Sequence, residues 1–207
     1  MIRGIVFDMD GVLIDAREWH YEALNDALKM FGFEISLENH LKIFDGLPTK
    51  RKLDILTEIH GLPVGLHSII NNIKQERTLR IAAFKCYPVA HHLILLAALK
   101  RAGFKVGVAT NSIRLTSTEM LRAAGILDSL DTLVTNEDVS KPKPDPEIYL
   151  RACQNLNLAP SDVLVIEDNH HGIAAARAAG CSVLEVKNPS EVHILNVNAA
   201  LNGMLLA

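Results

Sequence analysis

The sequence predicts an α/β protein: a Rossmann-like parallel sheet with helices on both faces, interrupted after its first strand by an all-helical segment. Three observations predict it. Five short apolar runs read as buried strands: GIVF (4–7), KVGVAT (105–110), TLVT (132–135), VLVIE (163–167) and SVLEV (182–186). From residue 88 onward these runs alternate with helix-length segments, as in a parallel sheet covered on both sides. Residues 16–87 break the alternation and contain no run of strand character.

Taken in order, GIVF runs straight into Asp8, with Asp10, Gly11 and Asp15 close behind. The segment REWHYEALNDALKMFGF (17–33) then places Trp19, Ala23, Leu24, Ala27, Leu28 and Phe31 at helical spacing. KRKLDILTEIHG (50–61) and LHSIINNIKQERTLRIAAF (66–84) also read as helices, with Pro48, Pro63 and Pro88 between helical segments. Beyond them, VAHHLILLAALKRAG (89–103) ends on a cation and a glycine, a helix stop. RLTSTEMLRAAG (114–125), DPEIYLRACQNLN (145–157) and HGIAAARAAG (171–180) read as helices of the same kind. The expected organisation is an α/β core from residues 1–15 and 88–207 around a helical domain at 16–87.

Composition narrows the class. With 207 residues the chain can bury one substantial core plus a small second domain. A net charge of −3 and a pI near 6.3 argue against nucleic acid as partner. Cys86, Cys153 and Cys181 are far apart with no CxxC pair, which reads as reduced thiols. There is no signal-peptide pattern, and no uninterrupted apolar window of membrane-spanning length. The expectation is a soluble cytoplasmic protein, monomeric or weakly dimeric, with no membrane partner.

Polar chemistry sits at the ends of four apolar runs. Asp8 and Asp10 close the first, and Thr110-Asn111-Ser112 closes KVGVA. Lys141, in SKPKPDP, follows TLVT, and Glu167-Asp168-Asn169 closes VLVI. In an open parallel sheet, ligands bind at the carboxyl ends of the strands. Each piece alone has an ordinary reading: an Asx turn, a helix N-cap, a solvated lysine, a charged loop. Together they form a chemical set. Three ionised carboxylates sit close only around a cation, and hard oxygen ligands suit Mg²⁺. A hydroxyl, an amide and a lysine supply donors for phosphate oxygens. One carboxylate remains to attack phosphorus and another to carry a proton.

The motifs DMDGVLID, ATNS, SKPKPDP and VIEDNHHG, in this order, resemble the haloacid dehalogenase superfamily of phosphohydrolases. The resemblance is to the branch with β-phosphoglucomutase and small sugar-phosphate phosphatases. It implies Asp8 as nucleophile and Mg²⁺ ligand, and Asp10 as general acid and base whose backbone carbonyl also binds the metal. It implies that Thr110 and Asn111 hold the phosphoryl group and that Lys141 neutralises its charge, with Lys143 a nearby rival. Asp168 is implied as a direct metal ligand, with Glu167 beside it or acting through water. Asn169 stands where that branch commonly has serine. The helical segment resembles the family's cap, with His20 and Lys74 as candidate substrate contacts and DGLPTKRK (45–52) as a specificity loop. His170 and His171 read as surface or supporting histidines. The implied activity is Mg²⁺-dependent hydrolysis of a small phosphorylated metabolite, a sugar phosphate, through an aspartyl-phosphate. The alternatives are a phosphomutase of the same branch and a non-enzymatic protein that keeps the fold. Asp10 argues against the dehalogenase and phosphonatase chemistries, which lack that carboxylate.

Overall fold

A computed structural model of the chain describes residues 1–205. It divides into two compact units, Met1–Asp15 with Tyr87–Ala207, and Ala16–Cys86. The first contains a five-stranded sheet of β1 (Gly4–Phe7), β2 (Lys105–Ala109), β3 (Thr132–Val134), β4 (Val163–Glu167) and β5 (Ser182–Glu185). All pairs are parallel, in the order β3-β2-β1-β4-β5. Each strand coincides with one of the apolar runs. β1 is central and wholly buried, with Phe7 opposite Val108 on β2 and Ile166 on β4. Strand order reverses across β1, so β1, β2 and β4 end side by side at the switch point where such sheets bind ligands.

The second unit is helical: α1 (Arg17–Lys29), α2 (Leu37–Asn39), α3 (Thr49–His60) and α4 (His67–Lys85). Its core gathers Leu24, Ala27 and Leu28 of α1 with Ile35, Phe44, Leu53, Leu56, Leu62 and Ile70. Asn25 is buried there without penalty: Nδ2 donates to the Ile35 carbonyl at 2.9 Å, and Oδ1 accepts from the Ile35 amide at 2.8 Å. α2 is capped by Ser36 and continues into a π-helical turn over His40–Phe44, a segment whose spacing suggested no helix. Three residues of α-helix followed by a wide turn leave no 3.6-residue repeat to read.

The first unit also carries α5 (Ala90–Arg101), α6 (Arg114–Ala123), α7 (Glu147–Leu156), α8 (His170–Ala178) and α9 (Ile194–Ala200), with α5 against β2 and α9 against α5. α7 packs over β2 and β3, and α8 over β5 and β4. Val6, Val163 and Val165 join Ile148, Ala152, Ala175 and Ala176 in one core cluster. Their strand neighbours Ile5, Phe7, Leu164 and Ile166 alternate to the other face and are equally buried. That two-sided burial explains why the strands read as unbroken apolar runs. The short, asparagine-rich α9 was not apparent from the sequence; of its residues only Val197 is buried. Among the described residues no single helix is long and apolar enough to cross a membrane.

His40 makes the stability of the helical unit sensitive to acid. It is 1% exposed and its ring lies 4.9 Å from that of Tyr21. Burial, then the charge of Lys52, lowers its pKa from 6.5 to about 4. The folded unit therefore holds His40 neutral where the unfolded chain protonates it. Its contribution is complete above about pH 6.5 and is lost as the pH falls towards about 4. Between pH 7 and pH 5 denaturant-unfolding free energies should fall by about 1–2 kcal/mol more in the wild type than in His40→Phe. Equal falls would contradict the assignment.

Candidate active site

The site starts with the loop that follows β1. The Met9 carbonyl accepts the amides of Leu13 and Ile14 at 3.0 Å each, and Gly11 N–H donates to the Ile14 carbonyl at 2.7 Å. Gly11 sits at φ +90°, and a Cβ there would lie 2.1 Å from Asp168 Oδ2. Only glycine supplies both the turn and the space. The loop thus sets Asp8 and Asp10 beside the end of β4, where Glu167 closes the strand and Asp168 follows.

Lys143 joins these groups. Its Nζ donates to Asp8 Oδ1 at 2.6 Å and to Glu167 Oε1 at 2.7 Å, and all three side chains are buried. Tyr149, on α7, donates its hydroxyl to the same Glu167 oxygen at 2.8 Å. The other oxygen, Oε2, accepts the amides of Asp168 and Asn169 at 3.0 Å each. Glu167 is therefore satisfied by four donors and serves to fix Lys143 and the start of α8. Gly172 makes room for it, since a Cβ there would lie 1.6 Å from Oε1.

Here the structure corrects the sequence reading. Lys141 does not reach the site: its side chain is 74% exposed and its Nζ lies 3.9 Å from Asp145 Oδ2. The reason is local. The Ser140 and Lys141 amides both donate to the Glu147 carboxylate, which ties that segment to the start of α7 at the surface. Two residues on, the Lys143 amide donates to Asn111 Oδ1 at 3.1 Å, and this draws Lys143 inward. Asn111 thus positions the lysine as well as standing at the end of β2.

The remaining predicted residues of this unit gather at the same edge. Thr110 is buried and its hydroxyl accepts the Ser112 amide at 3.0 Å. Ser112 in turn donates Oγ–H to Asp10 Oδ2 at 2.8 Å. Asn169 caps α8 by accepting the His171 amide at 3.0 Å. His170 and His171 lie ring against ring, with centroids 3.9 Å apart. His20 and Lys74 belong to the helical unit, where Lys74 Nζ lies 3.2 Å from His20 Nδ1.

Electrostatics sets the chemistry. Burial pushes the Asp8 carboxyl well above the usual range; Lys143 offsets this in part, while Glu167, Asp168 and Asp10 add to it. Burial alone would lower Lys143, but Asp8 and Glu167 outweigh it and hold the ammonium above its ordinary pKa. Burial, with Glu167 and Asp8 behind it, keeps Tyr149 protonated. One ammonium thus faces more negative charge than it balances. Carboxylate oxygens of Asp8, Glu167 and Asp168 lie within 4.8 Å of one another, a concentration of negative charge that fits a divalent cation. With Glu167 taken up by its four donors, Asp8 and Asp168 are the carboxylates left to ligate it.

The chain matches the profile of haloacid dehalogenase-like hydrolases over residues 5–186. It belongs to the haloacid dehalogenase superfamily. It is 30% identical to the phosphorylated carbohydrates phosphatase of Thermotoga maritima, over 97% of this chain and 90% of that one. It is 31% identical to the β-phosphoglucomutase of Bacillus subtilis, over 86% of this chain and 80% of that one. The crystal structure of β-phosphoglucomutase from Clostridium difficile shares its fold at a TM-score of 0.85, with 21% identity and full coverage of both chains. This haloacid dehalogenase-like protein is a phosphohydrolase of the β-phosphoglucomutase-like branch, acting on small phosphorylated compounds.

Lys143, Tyr149, Ser112 and Gly172 complete the site that the sequence reading outlined. Lys143 was visible as a rival. Ser112 was visible as the third residue of its motif, but nothing in the sequence tied it to Asp10. Tyr149 sits on the apolar stripe of α7, where an aromatic reads as core. Removing Lys143 leaves buried carboxylates without their cation. Lys143→Ala should lower stability by about 3–5 kcal/mol and turnover by at least about 10²-fold. Lys141→Ala should leave both near wild type in parallel unfolding and phosphate-release assays. The reverse pattern would restore Lys141.

Proposed function

We propose that the protein is a Mg²⁺-dependent phosphatase of small phosphorylated metabolites, sugar phosphates foremost, which passes the phosphoryl group through Asp8. The observation that carries this reading is the pairing of Asp8, fixed by Lys143, with Asp10 two residues on, held by Ser112. In the first step an Asp8 oxygen attacks phosphorus and the bond to the leaving oxygen breaks. The Asp10 carboxyl gives that oxygen its proton. In the second step the Asp10 carboxylate takes a proton from water as the water attacks the phosphorus of the aspartyl-phosphate. Phosphate leaves and the Asp8 carboxylate is restored. Thr110, Asn111 and the Lys143 ammonium meet the phosphoryl oxygens, and Lys143 takes the place first given to Lys141. Asp8, the Asp10 carbonyl and Asp168 would hold Mg²⁺, which supplies positive charge for the phosphoryl oxygens and keeps Asp8 ionised. Glu167 supports that set through Lys143 and the Asp168 amide.

In this reading the helical unit is the cap that excludes water and selects the leaving group, with His20 and Lys74 among its substrate contacts. The phosphorylated carbohydrates phosphatase of T. maritima supports sugar phosphates as the substrate class. The likeness to β-phosphoglucomutase supports a second reading, a mutase built on the same residues. Release of inorganic phosphate in proportion to substrate consumed separates the two.

Asp10→Asn keeps the backbone carbonyl and removes the proton carrier. Its rate on a sugar phosphate should fall about 10²–10⁴-fold, and much less on an aryl phosphate, whose leaving group needs no proton. Equal losses would remove Asp10 from the acid role. Chelation should abolish activity and Mg²⁺ should restore it, whereas Ca²⁺, with longer bonds and higher coordination, should not. Full activity in chelator would overturn the metal assignment.

A further inference from the structure

Cys153 and Cys181, 28 residues apart in sequence, meet in the core of the α/β unit. Their sulfurs lie 3.8 Å apart, with one thiol donating to the other. Both side chains are buried, at 2% and 8% exposure. Cys153 lies in the last turn of α7, and Cys181 directly precedes β5. As simple core fillers the two would have no need to touch. The contact makes them chemically unequal. The hydrogen bond between them lowers the Cys153 thiol from its ordinary pKa and, with burial, raises Cys181. A thiolate attacks and a neighbouring thiol resolves, which is the division of labour that disulfide formation uses. Cys86 differs: burial pushes its thiol up to about 11, which keeps it protonated.

The surroundings allow the bond to close. A disulfide holds its sulfurs about 2.05 Å apart, so the pair must approach by less than about 2 Å from 3.8 Å. Side-chain rotation supplies part of this approach, and the backbone before β5 can supply the rest. α7 is anchored over β2 and β3, whereas β5 is the edge strand beyond β4, with its first and last residues exposed. An edge strand opens more readily than the sheet centre, and its opening admits a small oxidant. The pair also stands away from the catalytic chemistry. Cys181 lies at the amino end of β5, whereas Asp8 and Glu167 lie at the carboxyl ends of β1 and β4 in the same parallel sheet.

We propose that Cys153 and Cys181 are a reversible dithiol–disulfide pair, closed by a peroxide and reopened by an external dithiol, whose bond locks edge strand β5 to α7. The Cys153 thiolate sulfur attacks a peroxide oxygen, the O–O bond breaks, and the departing hydroxide takes up a proton as water. This leaves a sulfenic acid on Cys153. The Cys181 sulfur attacks the Cys153 sulfur, the S–O bond breaks, and the hydroxyl leaves as water with the Cys181 proton. Two thiols lose two electrons in all, and one peroxide becomes two waters.

The test uses the full-length protein, reduced, freed of reductant and treated with hydrogen peroxide. It is then denatured, alkylated and digested without reduction. Mass spectrometry should find the peptides of Cys153 and Cys181 joined, two hydrogens lighter than their sum, with Cys86 alkylated. Dithiothreitol should separate them. The bridged form should unfold about 5 °C or more above the reduced one, and peroxide should bring no such rise to Cys153→Ala. If Cys153→Ala does not fold, Cys181→Ala takes its place. Turnover of p-nitrophenyl phosphate should be the same in both forms. Alkylation of both Cys153 and Cys181 after peroxide, a sulfinic acid at Cys153 beside an alkylated Cys181, or a bridge to Cys86 overturns the proposal. So does a bridged form that unfolds no later than the reduced one, or a loss of turnover that dithiothreitol restores and that Cys153→Ala does not show.

Discussion

One ammonium shared by two buried carboxylates organises the catalytic edge. Lys143 lies between Asp8 at the end of β1 and Glu167 at the end of β4, and neither strand could end in a buried carboxylate without it. A buried ion cluster is tolerated only when every lone pair and proton has a partner. Tyr149 and the amides of Asp168 and Asn169 meet that requirement for Glu167. Gly11 and Gly172 meet the steric one, since a Cβ at either position would collide with Asp168 or Glu167. The parallel sheet, with β1 between β2 and β4, supplies the adjacency that makes the cluster possible.

The cluster also gives the proposed reaction its reason for a divalent cation. Lys143 offsets the burial of Asp8 only in part, and Glu167, Asp168 and Asp10 push the Asp8 carboxyl further towards its protonated form. A protonated carboxyl is a poor nucleophile. The excess negative charge that opposes ionisation of Asp8 is the same charge that would attract a metal, so in the proposed reaction metal binding and activation of Asp8 would be one electrostatic event.

Much of this was legible in the sequence, and for physical reasons. The strands showed themselves because burial on both faces forces unbroken apolar runs. Asp8, Asp10, Glu167 and Asp168 stood out because each lies at or just beyond the end of such a run. The choice between Lys141 and Lys143 was not legible, because two lysines in one proline-rich loop have the same local chemistry. Contacts decide it: Glu147 captures the amide of Lys141, and Asn111, distant in sequence, captures that of Lys143. Tyr149 was hidden for a related reason, since its ring fills the core like any aromatic and only its hydroxyl reaches Glu167. In the helical unit, Lys52 fell at the end of the candidate specificity loop (45–52) and the start of the helical segment 50–61; its burial on α3 appears only once the helices are packed.

The central claim is that the phosphoryl group passes through Asp8. Enzyme in excess is mixed with a sugar phosphate and Mg²⁺, quenched in acid within the first turnover, and mapped by peptide mass spectrometry. The account predicts a phosphoryl group on the peptide that carries Asp8, removable by hydroxylamine and absent from Asp8→Asn. Phosphate released at the full rate by Asp8→Asn, or a phosphoryl group found on another side chain such as His20 or His170, would contradict it.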